Sequence, residues 1–82
     1  MIPRINNMTI LPEYKLRVVF DDGKTVVYDV SDDIKTIKSY SLLVTEPGLW
    51  SCAVLDESRT CIYWNDEIDL PSDTVYEYGL PI

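Results

Sequence analysis

Acidic side chains are the most prominent candidates for chemistry, because four carboxylates lie close together near the end of the chain: Asp66, Glu67, Asp69 and Asp73. Carboxylate oxygens are the ligands that hard divalent cations prefer. The stretch from Asn65 to Leu70, however, lacks the glycine that lets an EF-hand loop fold back around its ion. We therefore interpret residues 65–73 as a solvated loop and helix start and predict no metal site. A divalent-metal or small-ligand binding domain is kept as the alternative function.

The usual catalytic groups are scarce, since the chain has no histidine and only three glycines. Without histidine, the most common general base and the Ser–His and Cys–His nucleophile pairs are missing. Gly23, Gly48 and Gly79 stand alone, so none of them belongs to a phosphate-binding loop. We predict no catalytic residue and no cofactor. An enzyme that uses only carboxylates is the remaining catalytic alternative.

Two cysteines, Cys52 and Cys61, are too few for a disulfide scaffold in a chain that is 46% hydrophobic. If both lie in one hairpin around residues 57–59, Cys61 faces Leu55 and Cys52 faces Trp64, which places the thiols on opposite faces. We expect buried free thiols. With no histidine and no third cysteine, they do not form a zinc site.

The formal net charge of −7, from 14 acidic and 7 basic residues, bears on the partners of the chain. Such a charge disfavours direct nucleic-acid binding, which requires Lys and Arg on phosphates, and it repels anionic membrane surfaces. It is compatible with a basic protein partner, although solubility alone also explains it. No apolar run approaches the length of a membrane span and no signal-peptide pattern is present, so we expect one cytoplasmic domain, residues 1–82.

These candidate groups must be positioned by β-structure, and the clearest element is a hairpin over residues 16–30. Apolar residues alternate on both sides of Asp21-Asp22-Gly23, as is typical of half-buried strands. A three-residue loop places Leu16 opposite Tyr28, whereas a two-residue loop shifts every pairing by one. We favour the three-residue loop. The predicted inner face is Leu16, Val18, Phe20, Val26, Tyr28 and Val30.

The remaining elements are shorter. Residues 4–10 are predicted to form an irregular first strand that ends before Pro12. Ser31 and Ser72 are expected to cap short helices over residues 32–38 (or 39) and 73–78, the second ending at Gly79. The chain is thus predicted to be an α+β domain with a small antiparallel sheet of four or five strands in hairpins and one or two short helices packed on it.

A second hairpin is expected at residues 51–56 and 60–64, and both of its faces are apolar. Either this chain covers both faces, or one face is reserved for another chain. We assign the candidate interface to the face that carries Leu55, Cys61 and Tyr63, with Tyr63 as the aromatic anchor.

Five short segments of the sequence together form a recognisable pattern. They are a Leu-Pro-acidic-Tyr-Lys-Leu opening (residues 11–16), a Phe-x-Asp-Gly turn (20–23), a Tyr-Asp-Val strand end (28–30), a Trp before an acidic Asp-Leu loop (64–70) and a closing Tyr-Glu (76–77). Together they resemble the bacterial family called domain of unknown function 2442. The resemblance implies a compact α+β domain and no known activity. Some relatives carry a helix-turn-helix after this domain, and many are encoded beside another small protein, which suggests a toxin and antitoxin pair. The chain given ends at Ile82, and we expect no DNA-reading helix.

These observations favour a non-enzymatic protein-interaction or regulatory module. Its expected partner is a small basic protein from a neighbouring gene, in an antitoxin-like arrangement, or a second copy of the chain.

Overall fold

The computed structural model describes residues 2–82, and this part of the chain is an α+β fold of two antiparallel sheets and three short α-helices. The first sheet has the strand order β1-β2-β3-β7, with β1 Ile5–Leu11, β2 Lys15–Phe20, β3 Thr25–Asp29 and β7 Leu80–Pro81. The second sheet has the order β4-β5-β6, with β4 Val54–Leu55, β5 Cys61–Tyr63 and β6 Asp69–Pro71. The α-helices are α1 Ser31–Thr36, α2 Leu42–Thr45 and α3 Ser72–Tyr78, and short 3₁₀ segments lie at Lys38–Ser41 and Trp50–Cys52. The predicted α+β class is confirmed. The strands lie in two sheets, whereas the prediction had one sheet of four or five strands.

The β2–β3 hairpin has the predicted register, with Leu16 opposite Tyr28. Its loop closes through a hydrogen bond of 2.8 Å from the Phe20 amide to the Lys24 carbonyl oxygen. Gly23 adopts a φ of 92°, a conformation that side chains with a Cβ rarely take. The three-residue loop is therefore confirmed.

All six residues predicted for the inner face of this hairpin are buried: Leu16, Val18, Phe20, Val26, Tyr28 and Val30. They form one core with side chains from the second sheet and from α3, among them Ile62, Leu70 and Val75. Burial of this shared apolar surface is what holds the two sheets together.

The first strand, β1, begins and ends one residue later than predicted, since it runs from Ile5 to Leu11. The register of its pairing with β2 shifts between Ile5 and Asn7, as is typical of a β-bulge. Pro12 ends the strand as expected. Within β1, Ile5 is buried, whereas Met8 and Ile10 are half-buried against the core.

The predicted serine caps are wrong for both helices. Helix α1 includes Ser31 and has Val30 at its N-cap; the Ser31 amide donates a hydrogen bond of 2.9 Å to Asp29 Oδ1. Helix α3 includes Ser72, which is fully buried and donates from Oγ to the Pro3 carbonyl oxygen at 2.6 Å. Ser31 is therefore the first residue of its helix and not its cap, and the Ser72 side chain anchors the segment that contains Pro3.

Helix α3 ends at Gly79 because of packing. A Cβ at this position would lie 2.6 Å from the Val75 carbonyl oxygen and 2.7 Å from Val26 Cγ2. Only glycine fits between the end of the helix and β3 without displacing a neighbour.

Aromatic rings join the two halves of the fold. The rings of Trp50 and Trp64 stack with centroids 5.6 Å apart, and Tyr14 contacts Trp50 edge-on at 5.3 Å. Trp50 Nε1 donates to the Leu11 carbonyl oxygen at 3.2 Å, and Trp64 Nε1 donates to the Trp50 carbonyl oxygen at 3.1 Å. This arrangement gives residues in the shared segments 11–16 and 64–70 a structural role. Across residues 2–82, no helix combines the length and the apolar character needed to cross a membrane.

Candidate interaction surface

The outward face of the second sheet carries a row of three side chains. Tyr63 pairs with Val54 on one side and with Asp69 on the other, so all three point away from the core. Val54 is 44% exposed and Tyr63 is 39% exposed. Within residues 2–82, these two apolar side chains are left uncovered, next to an exposed carboxylate.

The predicted register of this hairpin is wrong by one residue. We expected Cys61 opposite Leu55, but Leu55 pairs with Ile62 and Val54 pairs with Tyr63. The cause is a four-residue loop closed by Asp56, whose Oδ1 accepts hydrogen bonds from the amides of Thr60 (3.0 Å) and Cys61 (3.2 Å). The extra residue turns each side chain of β4 to the other face.

The three predicted interface residues therefore do not share one face. Tyr63 and Cys61 lie on the outward side, whereas Leu55 is half-buried and packs against the core. Val54 takes the place that sequence reasoning gave to Leu55. Because both faces of the hairpin are apolar, hydrophobic alternation carried no signal that could have identified Val54.

The thiols are free, but the expectation that both are buried is wrong. Cys52 is exposed in a 3₁₀ segment outside the sheet, and Cys61 is half-buried. Partial burial raises the pKa of the Cys61 thiol above its usual value of 9.0. A thiol that stays protonated at neutral pH is a weak nucleophile.

Charge is divided unequally along the chain. Residues 46–82 contain eight acidic residues and one basic residue, whereas residues 1–45 contain six of each. The whole net charge of −7 therefore belongs to the part of the chain that forms the second sheet and α3. Counting charges in each half of the sequence would have revealed this asymmetry.

The acidic residues considered as metal ligands are all exposed: Asp66, Glu67, Asp69 and Asp73. Asn65 organises the loop before β6, because its Oδ1 accepts hydrogen bonds from the amides of Glu67 (2.8 Å) and Ile68 (2.9 Å). Over residues 2–82, no three Asp, Glu, Cys or His side chains converge as a metal-ligand set. The structure does not bring the four carboxylates together: Asp66 and Glu67 lie in the loop before β6, Asp69 lies on β6 and Asp73 lies in the first turn of α3.

An open groove separates the turn of the first hairpin from α3. Phe20 and Tyr76 line it with their rings in edge-to-face contact at 4.9 Å. Lys24 Nζ donates to the Tyr76 carbonyl oxygen at 2.9 Å and lies 4.0 Å from the centroid of that ring. The Tyr76 hydroxyl in turn donates to Asp22 Oδ2 at 2.6 Å. These polar groups have partners within the chain and fasten α3 to the hairpin.

The pKa shifts of Asp22 and Tyr76 leave these two groups of the groove unsuited to proton transfer near pH 7. The hydrogen bond from Tyr76 lowers the pKa of Asp22, and the same bond raises the pKa of Tyr76. A general acid or base works best when its pKa lies near the working pH. Both groups move away from that range.

Fold and surface together define a small acidic α+β domain with an exposed apolar patch on its second sheet. Residues 5–80 match the model of the family described as "Protein of unknown function (DUF2442)". The chain belongs to this family, as the shared segments indicated. No curated protein and no solved structure matches the chain significantly.

Proposed function

We propose that this protein is a non-enzymatic interaction module that binds a small basic protein, in an antitoxin-like role, through the outward face of its second sheet. The observation that carries the proposal is the position of Val54 and Tyr63. Both are exposed in the half of the chain that holds the entire net negative charge. We call the surface formed by Val54, Cys61, Tyr63 and Asp69 the acidic face.

The acidic face combines two properties that favour protein binding. Tyrosine is enriched among the residues that dominate binding energy, because its ring buries a large area with few rotatable bonds. Asp69 within the face and the net charge of −7 on residues 46–82 favour encounter with a positively charged partner and disfavour an acidic one. A partner with an apolar centre and a Lys- or Arg-rich rim fits this surface.

Self-association through the acidic face is disfavoured by the same charges. Two copies meeting there would bring together two chain halves that each carry a net charge of −7. Like charges placed across an interface cost several kcal/mol. A basic partner, expressed from a neighbouring gene in the cytoplasm, removes this repulsion, whereas nucleic acid and anionic membranes would meet it.

The non-enzymatic part of the proposal is supported by the protonation states of the candidate groups. The pKa of Asp22 is lowered, and those of Tyr76 and Cys61 are raised. Each group is thereby held in its ordinary form at neutral pH, and none of them is activated as a nucleophile or as a proton shuttle.

The test is co-purification of the full chain with the product of the adjacent gene, followed by calorimetric titration at several salt concentrations. We expect a complex whose affinity falls as salt rises, and a Tyr63→Ala variant that binds at least about thirtyfold more weakly, since hot-spot truncations cost about 2 kcal/mol or more. Tyr78→Ala is the matched control, because Tyr78 is 72% exposed on α3 and lies outside the acidic face. Failure to recover a complex at any salt concentration would reject the heteromeric proposal.

A further inference from the structure

The outer edge of β1 is open along its middle. At one end, the Ile5 amide donates to the Arg59 carbonyl oxygen at 2.8 Å, and at the other end Trp50 Nε1 bonds to the Leu11 carbonyl oxygen. Between these ends, within the described residues 2–82, the backbone of residues 6–10 makes hydrogen bonds only with β2. Five residues of an edge strand therefore have an unpaired side.

Apart from the irregular pairing between Ile5 and Asn7 at its start, this edge lacks the features that normally keep sheet edges from pairing. Exposed edges are usually short, charged, interrupted by proline or covered by another segment. At seven residues, β1 is the longest strand of residues 2–82, and its sequence, INNMTIL, contains neither a charge nor a proline. Asn6, Asn7 and Thr9 are exposed along it. Such an edge is suited to accept another strand.

We propose that a second copy of this chain pairs with β1, antiparallel, about a two-fold axis through Met8. Met8 is the centre of the open stretch of residues 6–10, so this register uses all of it. Asn7 then lies opposite Thr9 of the second copy, and the reverse pair forms by symmetry. The two four-stranded sheets become one continuous sheet of eight strands.

The charges of the chain favour this partner at this edge. Residues 1–45, which contain the strands β1, β2 and β3, carry equal numbers of acidic and basic residues. The open stretch of residues 6–10 carries no charged side chain, so two copies of a chain with a net charge of −7 meet there without placing like charges opposite one another. The acidic half of each copy, residues 46–82, supplies neither β1 nor its neighbour β2.

The register can be tested by a pair of charge variants at exposed positions. In Asn7→Lys/Thr9→Lys, each lysine lies opposite a lysine of the second copy, and like charges directly opposite one another destabilise strand pairing. In Asn7→Lys/Thr9→Glu, each lysine lies opposite a glutamate instead. Both variants change the same two side chains, and only the sign of one charge distinguishes them.

Sedimentation velocity on the full chain from micromolar to millimolar concentration gives the readout. We expect the wild type to dimerise as concentration rises, Asn7→Lys/Thr9→Lys to dimerise at least about tenfold more weakly, and Asn7→Lys/Thr9→Glu to recover the dimer at low salt. The double-lysine variant has a smaller net negative charge than the wild type, so general repulsion cannot explain a loss of dimer. Circular dichroism confirms that both variants remain folded.

Amide exchange of the wild type provides a second measurement that needs no mutation. Amides of residues 6–10 that face the open edge should become protected as the protein concentration rises. A wild type that stays monomeric at millimolar concentration overturns the proposal. So does a double-lysine variant that dimerises as strongly as the wild type.

Discussion

Arg59 and Asp21 form a bidentate ion pair, with Nη1–Oδ1 and Nη2–Oδ2 distances of 2.7 and 2.9 Å. The pair connects the turn of the β4–β5 hairpin to the turn of the β2–β3 hairpin, and so joins the two sheets at their loops. Arg59 Nη1 also donates to the Ile5 carbonyl oxygen at 3.1 Å, which extends the connection to β1. The turn that sets the register of the candidate interface is thereby held against the first sheet.

This ion pair predicts a specific pH dependence of stability. The hydrogen bond and charge of Arg59 lower the pKa of Asp21 below its usual value of 3.8. A carboxyl group with a lowered folded-state pKa stabilises the fold above its unfolded-state pKa, and that contribution is lost as the pH falls through the folded-state pKa. Asp21→Asn should therefore lower the melting temperature at neutral pH, and the difference from the wild type should shrink below pH 3.8.

Thermal melts of both proteins across this pH range provide the measurement. Asp66→Asn is the matched control, since Asp66 is an exposed loop residue whose side chain makes no ion pair within residues 2–82. A difference between wild type and Asp21→Asn that is independent of pH would show that the ion pair does not stabilise the fold.

Gly23→Val tests the first hairpin. The φ of 92° at this position disfavours a β-branched residue, although a Cβ there would meet no atom within 4 Å. The cost is therefore conformational and should be about 1–3 kcal/mol in chemical denaturation. Gly23→Asn should cost less, because asparagine tolerates positive φ values. Equal stability of the valine variant and the wild type would contradict the assigned loop.

The contrast between the two hairpins explains how much the sequence could predict. In the first hairpin, alternation on both strands and the Asp22-Gly23 step point to the same register, so local and long-range signals agree. In the second, both faces are apolar, and the register depends on the Asp56 carboxylate closing a loop in which Arg59 takes a φ of 61°. A left-handed arginine gives no sequence signal comparable to a glycine.

The helix caps and the outward position of Val54 could not be predicted for a similar reason. Ser31 and Ser72 are good capping residues by type, but Val30 and Pro71 lie at the two N-caps, and a tertiary hydrogen bond to Pro3 engages the Ser72 side chain. Tyr63 is exposed on β5, and its place there does not depend on the register of the partner strand. Val54 faces outward only in the observed register, for which the sequence pattern gave no signal.

The raised pKa of Tyr40 predicts that the folded protein loses stability in alkali. Tyr40 is 5% exposed. Its burial and, to a smaller extent, the charges of nearby Asp33 and Asp69 raise its pKa to about 12. An unfolded chain ionises this group near pH 10, so between pH 10 and 12 the unfolded state binds fewer protons and stability falls as pH rises. Tyr40→Phe should be less stable at neutral pH, since it loses the hydrogen bond to the Asp69 carbonyl oxygen, and should show a shallower alkaline decline.

Denaturant unfolding at several pH values measures both effects. The difference in slope should be about 1.4 kcal/mol per pH unit, the value for one proton. Tyr28, Tyr76 and Cys61 also have raised pKa values, so the variant still loses stability in alkali. The charge of Tyr40 contributes to the raised pKa of Tyr28, so its removal weakens the Tyr28 contribution in the same direction. Parallel declines of wild type and variant would show that Tyr40 titrates normally.

The register of the second hairpin can be tested by two adjacent truncations. Leu55 packs against the core, whereas Val54 is 44% exposed on the outward face. Leu55→Ala should therefore cost about 1–3 kcal/mol of unfolding free energy, less than a fully buried leucine, and Val54→Ala should cost at most about 0.5 kcal/mol. The register first expected from the sequence predicts the reverse order, because it places Val54 in the core and Leu55 outside. The same two variants separate stability from binding. Val54→Ala should weaken binding of the basic partner while lowering the melting temperature by at most about 4 °C, since its side chain contributes to the acidic face and not to the core. If Val54→Ala instead unfolds the domain, Val54 belongs to the core and the acidic face loses one of its two exposed apolar side chains.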